Sequence, residues 1–327
     1  MMRDPITRLF RRRRRRKSRN EAYMRSLMAD TLDRTLFLQG QIAGRMVDQT
    51  KPLRDLSEAE FRVYSQWGED GIIDWLVSHV APIHDRFVEF GVETFKEANC
   101  RFLLRHRNWK GLVLDGSDDN MAALRDDPIY WMHDLTGRAA FVTAENIDEL
   151  IVSSGFGGPL GVLSIDIDGN DYWVWRAIES VTPDIVVCEV NPIFGDSRAV
   201  TVPYDPGFRR FAAHSSGLYF GASIKALVHL GREKGFTFVG TNSMGINAFF
   251  VRDELAAPVL ELLHDIKAFP PRHRDSRNEG GQLSFVGGTA RFDLIRNMPV
   301  VDVLTGEQLF LRDLQQPYSE EWLKALS

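Results

Sequence analysis

The chain has 327 residues, of which 44% are hydrophobic and 11% aromatic. This composition is sufficient for one sizeable core and argues against a largely disordered protein. Its two cysteines, Cys100 and Cys188, lie inside apolar segments, which predicts reduced, buried thiols and argues against a disulfide or zinc site. No apolar run is long enough to cross a membrane and no apolar segment near the start suits a secretory signal, so we expect a cytoplasmic protein.

The net charge of −5 is unevenly distributed along the chain. Residues 1–18 hold nine basic side chains and one acidic side chain, a charge of +8 that leaves −13 for the remainder. Because the six arginines at 11–16 repel one another, we expect a solvated, disordered tail. Through residues 3–17 this tail favours an anionic membrane surface, with a merely solubilising tail as the alternative. The acidic remainder argues against a nucleic-acid partner.

Residues 20–48 carry apolar side chains at the spacing of a single helix. These side chains are Met24, Leu27, Met28, Leu32, Leu36, Ile42, Ala43 and Met46. Two interpretations stay open. The helix either packs on its own domain or serves as a homo-oligomer or membrane-surface contact.

From residue 61 onward, apolar strand-like runs alternate with helical segments. The predicted strands are 85–92, 109–117, 139–147, 159–168 and 183–192, followed by a strand pair at 237–241 and 247–252. Alternating strands and helices predict an α/β fold with a mostly parallel sheet covered by helices on both faces. The long segment 193–221 before the helix predicted at 222–236 is typical of a lid or substrate wall.

Polar side chains cluster where the predicted strands end. Glu89, Gly91 and Glu93 follow the first strand, and Asp115 ends the second. The fourth strand ends in "IDIDGND", and the fifth in "CEVN". Ligands of parallel sheets bind at the carboxyl ends of the strands, and Asp115 stands about 24 residues after Gly91, close to the offset of a ribose-binding carboxylate.

The segments "YSQWGEDG", "FVEFGV", "GLVLDGS", "SIDIDGNDYWVW" and "CEVNP" resemble the FkbM-type class I S-adenosylmethionine-dependent methyltransferases over roughly residues 61–252. The sequence departs from these relatives in having one glycine in the first loop and aspartate in "IDIDG" where glutamate is usual. The resemblance implies a Rossmann-like sheet of seven strands, with an N-terminal helix and a C-terminal extension added to it.

The resemblance also implies a set of S-adenosylmethionine contacts. Asp115 would bind the ribose hydroxyls, and Asp166 or Asp168 would close the pocket near the transferable methyl group. Asp134 and Asn146 would contact the adenine, and Gln66 would belong to a lid. The full implied set is Gln66, Glu89, Gly91, Glu93, Asp115, Asp134, Asn146 and Asp166.

Methyl transfer to a sugar hydroxyl of a glycan, glycolipid or small-molecule metabolite requires in-line positioning and removal of a proton. Asp168 and Glu189 are the first candidates for this chemistry, and His214 and Lys225 are alternative bases or substrate contacts.

Oxygen side chains at the same strand ends suit Mg²⁺, which would acidify the acceptor hydroxyl. The candidate ligands are Asp168, Asp171, Glu189 and Asn191. The structural alternative is that Asp171 caps the following helix and Glu189 pairs with an arginine.

Two other functions fit parts of the sequence. "DID" at 166–168 resembles the metal-binding motif of nucleotide-sugar transferases, and the basic N-terminus suits a non-catalytic scaffold on the inner membrane face. The leading hypothesis divides the chain into a basic tail (1–18), a helical extension (19–55), a methyltransferase-like domain (56–254) and a C-terminal extension (255–327).

Overall fold

The structure, a computed structural model, describes residues 5–81 and 83–327, and it describes the side chains in these ranges except those of residues 5–19, 22 and 26. The helices are α1 (Pro5–Gln49), α2 (Glu69–His79), α3 (Arg101–Arg107), α4 (Asp118–Asp126), α5 (Pro128–Met132), α6 (Ile147–Ser153), α7 (Asp171–Ala177), α8 (Arg210–Ala213), α9 (Ile224–Glu233), α10 (Asp253–Glu261), α11 (Ala290–Ile295) and α12 (Glu320–Leu326). The strands are β1 (Arg86–Phe90), β2 (Lys110–Asp115), β3 (Leu135–Ala139), β4 (Gly158–Ile165), β5 (Val181–Glu189), β6 (Val200–Thr201), β7 (Phe236–Thr241), β8 (Asn247–Arg252), β9 (Pro299–Asp302) and β10 (Gln308–Phe310).

Seven strands form the central sheet, in the order β3-β2-β1-β4-β5-β8-β7. Strands β1 to β5 pair in parallel, whereas β8 pairs antiparallel with both β5 and β7. The chain order reverses between β1 and β4, which makes that position the expected ligand-binding edge. The predicted α/β fold class, a Rossmann-like, mostly parallel sheet of seven strands with helices on both faces, is confirmed.

The strands are apolar on both sides because helices cover both faces of the sheet. On one face, Phe87, Val162 and Val187 pack against α2, α3 and α10 in one core cluster. On the other face, Val88 and Leu163 pack in a second cluster with α6, α7 and α9. This two-layer burial explains the near-continuous apolar runs in the sequence.

A small sheet of β10, β9 and β6 joins the C-terminal segment to the long loop after β5. A third core cluster, containing Phe194, Tyr219, Val300 and Leu311, packs the two together. The C-terminal segment therefore supports the predicted lid loop, and the division of the chain at residue 255 stays a prediction.

Helix α1 contains the predicted helix 20–48 and extends it to Pro5, through most of the predicted disordered tail. Residues 1–4 and the side chains of the arginine tract lie outside what the structure describes, so the boundary at residue 18 also stays a prediction. No helix in the described ranges is both long and apolar enough to span a membrane. Cys100 and Cys188 are free and buried, as predicted.

The third strand is the main difference from the predicted elements. It covers Leu135–Ala139 and not 139–147, because the segment "LTGRA" pairs with β2 although only Leu135 in it is a large apolar residue. Residues 140–146 instead form the loop that leaves the carboxyl end of this strand. The shifted strand changes the positions of Asp134 and Asn146, the predicted adenine contacts, relative to the carboxyl end of the sheet.

Candidate active site

A cleft of about 600 Å³ opens at the carboxyl ends of β1, β2, β3 and β4. Residues from these strand ends form one side, and the segment 208–212 around the start of α8 forms the other. The lining residues used below are Gly91, Glu93, Asp115, Phe141, Asp166, Asp168, Phe208, Arg209, Arg210 and Phe211. The volume lies in the range of small-molecule and cofactor pockets.

Asp115 lines the cleft at the end of β2 and organises the loops on either side. Its Oδ1 accepts hydrogen bonds from Ser117 N (2.8 Å) and Asn120 Nδ2 (2.9 Å), whereas Oδ2 accepts one from Glu93 N (2.8 Å). A carboxylate oxygen can accept two hydrogen bonds, so Oδ2 retains capacity for a further donor in the cleft. This suits one ribose hydroxyl on Oδ2, fewer than the two hydroxyls that the sequence suggested.

Gly91 forms the floor of the cleft between β1 and β4. Its φ of +72° lies in the left-handed region, and a Cβ on this residue would stand 1.7 Å from the carbonyl oxygen of Asp166. A side chain at this position would push the ends of the two strands apart. The one glycine that the sequence retains in this loop therefore has a defined steric role.

The acidic loop after β4 is held by Asp171. Its Oδ1 accepts a hydrogen bond from Ile167 N (2.8 Å) and its Oδ2 one from Gly169 N (2.9 Å). Asp168 adopts a positive φ of 57° and extends toward solvent. Asp171 therefore shapes the loop, which is close to the structural alternative raised by the sequence.

Three carboxylates converge beside this loop. Oxygen atoms of Asp166, Asp171 and Glu189 lie within 4.8 Å of one another. Burial, reinforced by the neighbouring acidic side chains, raises the pKa of Asp166 and of Glu189 well above the usual range. Within the described residues, the buried Oε2 of Glu189 accepts no hydrogen bond.

Arg210 supplies the positive charge next to this cluster. Its Nη1 lies 2.6 Å from Asp168 Oδ1 and 4.0 Å from Glu189 Oε1, and its guanidinium stacks over the ring of Phe220 at 3.9 Å. The sequence did not single out this residue. The signal was the lid segment itself, "GFRRFAA", in which two adjacent arginines lie between aromatic residues.

The predicted metal ligands come together only in part. Asp171 and Glu189 belong to the carboxylate cluster, but Asp166 replaces Asp168 in it. Asn191 is fully used elsewhere: its Nδ2 donates to the carbonyls of Leu218 (2.9 Å) and Phe220 (2.8 Å), and its Oδ1 accepts from a loop amide. The side chain of Asn191 thus holds the lid loop and does not face the cluster as a ligand.

Several predicted cofactor contacts lie away from the cleft. Glu89 is buried on β1, where its two oxygens accept the backbone amides of Asn99 (2.7 Å) and Cys100 (3.0 Å). Asp134 precedes β3 at the amino end of the sheet, with Lys110 at 3.6 Å. The shift of the third strand explains this position, and Ala140, Phe141 and Val142 line the cleft where Asp134 was expected.

Asn146 and Gln66 are also outside the cleft lining as far as the structure describes it. Asn146 closes its own loop, accepting from Thr143 N (2.9 Å) and donating to the carbonyl of Phe141 (2.9 Å). It therefore supports a lining residue without facing the cavity. Gln66 is exposed in the turn before α2.

The turn "YSQWGED", predicted as a lid, is anchored by a buried acid. Asp70 Oδ2 accepts the backbone amides of Val63 (2.8 Å), Tyr64 (2.7 Å) and Ser65 (2.8 Å) and the hydroxyl of Ser65 (2.9 Å). These hydrogen bonds fix the turn against the first turn of α2. The segment that does overlie the cleft is 208–212.

The two alternative bases lie outside the same lining. The ring of His214 contacts Ser216 Oγ at 2.8 Å, and burial lowers the pKa of this histidine. Lys225 is exposed on α9, where its Nζ donates to the carbonyl of Ser197 (3.1 Å). Neither side chain converges with Asp166 and Glu189 in this structure.

No family model matches the chain, and no curated protein matches its sequence. Among solved structures, the chain is similar to a CurJ carbon methyltransferase, with 13% identity and a TM-score of 0.37 over 71% of this chain and 70% of that one. It is also similar to TehB from Haemophilus influenzae, with 11% identity and a TM-score of 0.33 over 56% of this chain and 62% of that chain's length.

A third similar structure is an S-adenosylmethionine-dependent methyltransferase from Mesorhizobium loti, with 14% identity and a TM-score of 0.34 over 57% of this chain and all of that one. Likenesses at these scores carry no functional argument. The evidence for a function lies in the cleft itself.

Proposed function

We propose that this protein is an S-adenosylmethionine-dependent methyltransferase of the FkbM type that methylates a hydroxyl group. The observation that carries the proposal is the cleft at the β1–β4 reversal, with Asp115 at the end of the neighbouring strand and the close backbone approach at Gly91. These features provide a carboxylate for a ribose and a floor made of backbone.

The lining residues fit a nucleoside-sized cofactor. Asp115 Oδ2 has capacity for a ribose hydroxyl, and Phe141 lies on the β3 side of the cleft, where an adenine ring would stack. Asp166 lies on the β4 side, where the cluster of carboxylates begins. When bound, S-adenosylmethionine would supply an activated methyl group, so the protein has to position the acceptor and take up its proton.

Asp166 and Glu189 are our candidates for receiving that proton. Their raised pKa values make each a stronger base, when ionised, than an ordinary carboxylate. Arg210 would orient the acceptor oxygen through a donated hydrogen bond. Asp168 then serves as a positioning residue, because it holds the Arg210 guanidinium at 2.6 Å.

A sugar is the acceptor class that the lid favours. Phe208 and Phe211 line the cleft together with Arg209 and Arg210, so aromatic rings and hydrogen-bond donors belong to the same wall. This combination suits a saccharide, which presents C–H groups on one face and hydroxyls at its edge.

A divalent cation is a second candidate for acidifying the acceptor. Asp166, Asp171 and Glu189 would hold it, and the unpartnered Glu189 Oε2 favours it. Arg210 argues for the metal-free reaction because its charge already neighbours the same carboxylates. A loss of activity of tenfold or more in a chelator, restored by Mg²⁺, would assign the role to the metal.

Calorimetry with S-adenosylhomocysteine tests the cofactor assignment. We expect Asp115→Ala to weaken binding at least tenfold, whereas Asp119→Ala, an exposed acid four residues farther along on α4, leaves it unchanged. Circular dichroism checks that both variants are folded. Failure of the unaltered protein to bind, or equal binding by Asp115→Ala, would contradict the proposal.

A further inference from the structure

Helix α1 has one side fixed to the body of the protein. Asp33 accepts hydrogen bonds from the hydroxyl of Tyr64 (3.0 Å) and from Arg105 Nη1 (2.8 Å). Farther along, Gly40 is buried so tightly that a Cβ would stand 2.4 Å from Val63 Cγ2. The side of the helix from Asp33 to Asp48 is therefore occupied by the protein's own residues.

The opposite side of α1 presents a stripe of large apolar residues to solvent. We call it the outer stripe: Met24 (52% exposed), Leu27 (46%), Met28 (68%), Leu32 (59%), Leu38 (56%), Ile42 (50%) and Met46 (65%). At about 100° of rotation per residue these positions fall within one sector, centred roughly opposite Gly40. Thr31 and Thr35 lie in the same sector, and their hydroxyls donate to the helix's own carbonyls (2.8 Å each).

The outer stripe is continuous in the same helix with the most basic part of the sequence. Residues 1–18 carry a charge of +8, whereas the remainder carries −13. An apolar stripe of this area without cover is unusual on an isolated soluble protein. Apolar side chains next to a basic tract form the pattern of a helix that lies in a membrane interface.

We propose that α1 binds the surface of an anionic phospholipid bilayer, with the outer stripe among the acyl chains and the basic tract at the lipid headgroups. Charge complementarity favours an anionic bilayer, because the basic tract is attracted to anionic lipid headgroups. Parallel pairing with a second copy would bring two +8 tracts together, and Thr31 and Thr35 interrupt the apolar seam that a coiled coil needs. A bilayer accommodates both the basic tract and an apolar stripe that is interrupted by threonines.

The orientation of the body agrees with this docking. The outer stripe and the contacts of Asp33 and Gly40 lie on opposite sides of the helix, so the acidic body would stand on the aqueous side. Bilayer binding itself does not depend on the proposed methyl transfer.

Vesicle co-sedimentation of the full chain tests the proposal. The probes are phosphatidylcholine vesicles with and without about one third phosphatidylglycerol, at low and high salt. We expect binding to the anionic vesicles, at least tenfold weaker to neutral vesicles and at high salt. Leu32→Glu with Ile42→Glu should reduce binding at least tenfold, as should replacing the arginines at 11–16 by glutamine.

Trp131→Glu is the matched control, because Trp131 is 78% exposed on the body, in α5. It should bind vesicles like the unaltered protein. Binding of S-adenosylhomocysteine is measured separately from vesicle binding, as a check that the body of each variant is folded. We expect the α1 variants to retain it. Equal binding to neutral vesicles, undiminished binding by the glutamate variant, or a stable dimer that this variant dissolves without any vesicle binding would each overturn the proposal.

Discussion

Two groups of buried or half-buried carboxylates differ in how the protein uses their oxygens. Asp70 Oδ2 accepts hydrogen bonds from three backbone amides and one hydroxyl, and Glu89 accepts two from backbone amides. Asp166 and Glu189 instead lie next to other acidic side chains, and Glu189 Oε2 accepts no hydrogen bond within the described residues. The first group holds loops, whereas in the second group Asp166 lines the cleft and Glu189 lies next to it, outside the lining.

Burial alone therefore does not identify a functional carboxylate. All four have raised pKa values because burial disfavours the charged form. What separates them is the number of donors around each group. A carboxylate that accepts several donors from loop segments contributes to stability, whereas one that accepts no donor within the described residues is a cost that a binding site tolerates.

The largest expected effect comes from removing Asp70. Asp70→Ala would leave three backbone amides and the Ser65 hydroxyl without their acceptor, and we expect the free energy of unfolding to fall by about 4 kcal/mol in urea denaturation. Asp70→Asn keeps one acceptor oxygen and puts its amide where Oδ1 has no partner, so it should cost less than about 1 kcal/mol. Similar losses in the free energy of unfolding for both variants would contradict a loop-holding role for Asp70 Oδ2.

The pH dependence of that same pair is the second expectation. The folded-state pKa of Asp70 is raised from 3.8 to about 6, so the folded protein holds a proton between these values that the unfolded chain releases. The stabilisation is complete below about pH 4 and is lost as the pH rises through 6. The unaltered protein should therefore lose about 2 kcal/mol relative to Asp70→Asn between pH 4.5 and 7.5.

Measuring the difference between two variants removes opposing titrations. Burial lowers the pKa of His273 to about 4, which makes stability rise with pH in the same range. This contribution is common to both proteins and cancels. A difference that stays constant with pH would show that Asp70 is ionised in the folded protein at all of these pH values.

The smallest expected effect has the opposite sign. Glu189→Gln removes a buried carboxylate that lies among other acids, so we expect it to raise the free energy of unfolding by about 1 kcal/mol at pH 8 while abolishing methyl transfer. The exposed Glu179→Gln serves as the control and should change neither quantity. A destabilised Glu189→Gln protein would move Glu189 into the loop-holding group.

The fold was largely predictable because strands covered on both sides must be apolar throughout. "FVEF", "GLVL" and "DIVVC" met that condition and lie in β1, β2 and β5. The third strand was misplaced because β3 lies at the edge of the sheet, where backbone pairing with β2 is sufficient and few apolar side chains are needed. Periodicity carries little information at such an edge.

The candidate site was predictable where residues end a strand, and not where they fold back from a loop. Asp115 and Asp166 followed from the parallel sheet, since all carboxyl ends meet at one edge. Arg210 comes to the cluster from a loop more than twenty residues after β5, and its position depends on the Asn191 contacts and the packing of Phe220. No local pattern encodes such a contact between distant segments.

The two free cysteines provide built-in reporters of opening. Cys100 begins the segment that Glu89 holds, and Cys188 lies on β5 within the core on the opposite face. Burial raises the pKa of both thiols well above the usual range, so each should stay inert toward maleimides while its surroundings remain closed. The order in which they become labelled would reveal which side of the sheet loosens first under stress, without any added probe.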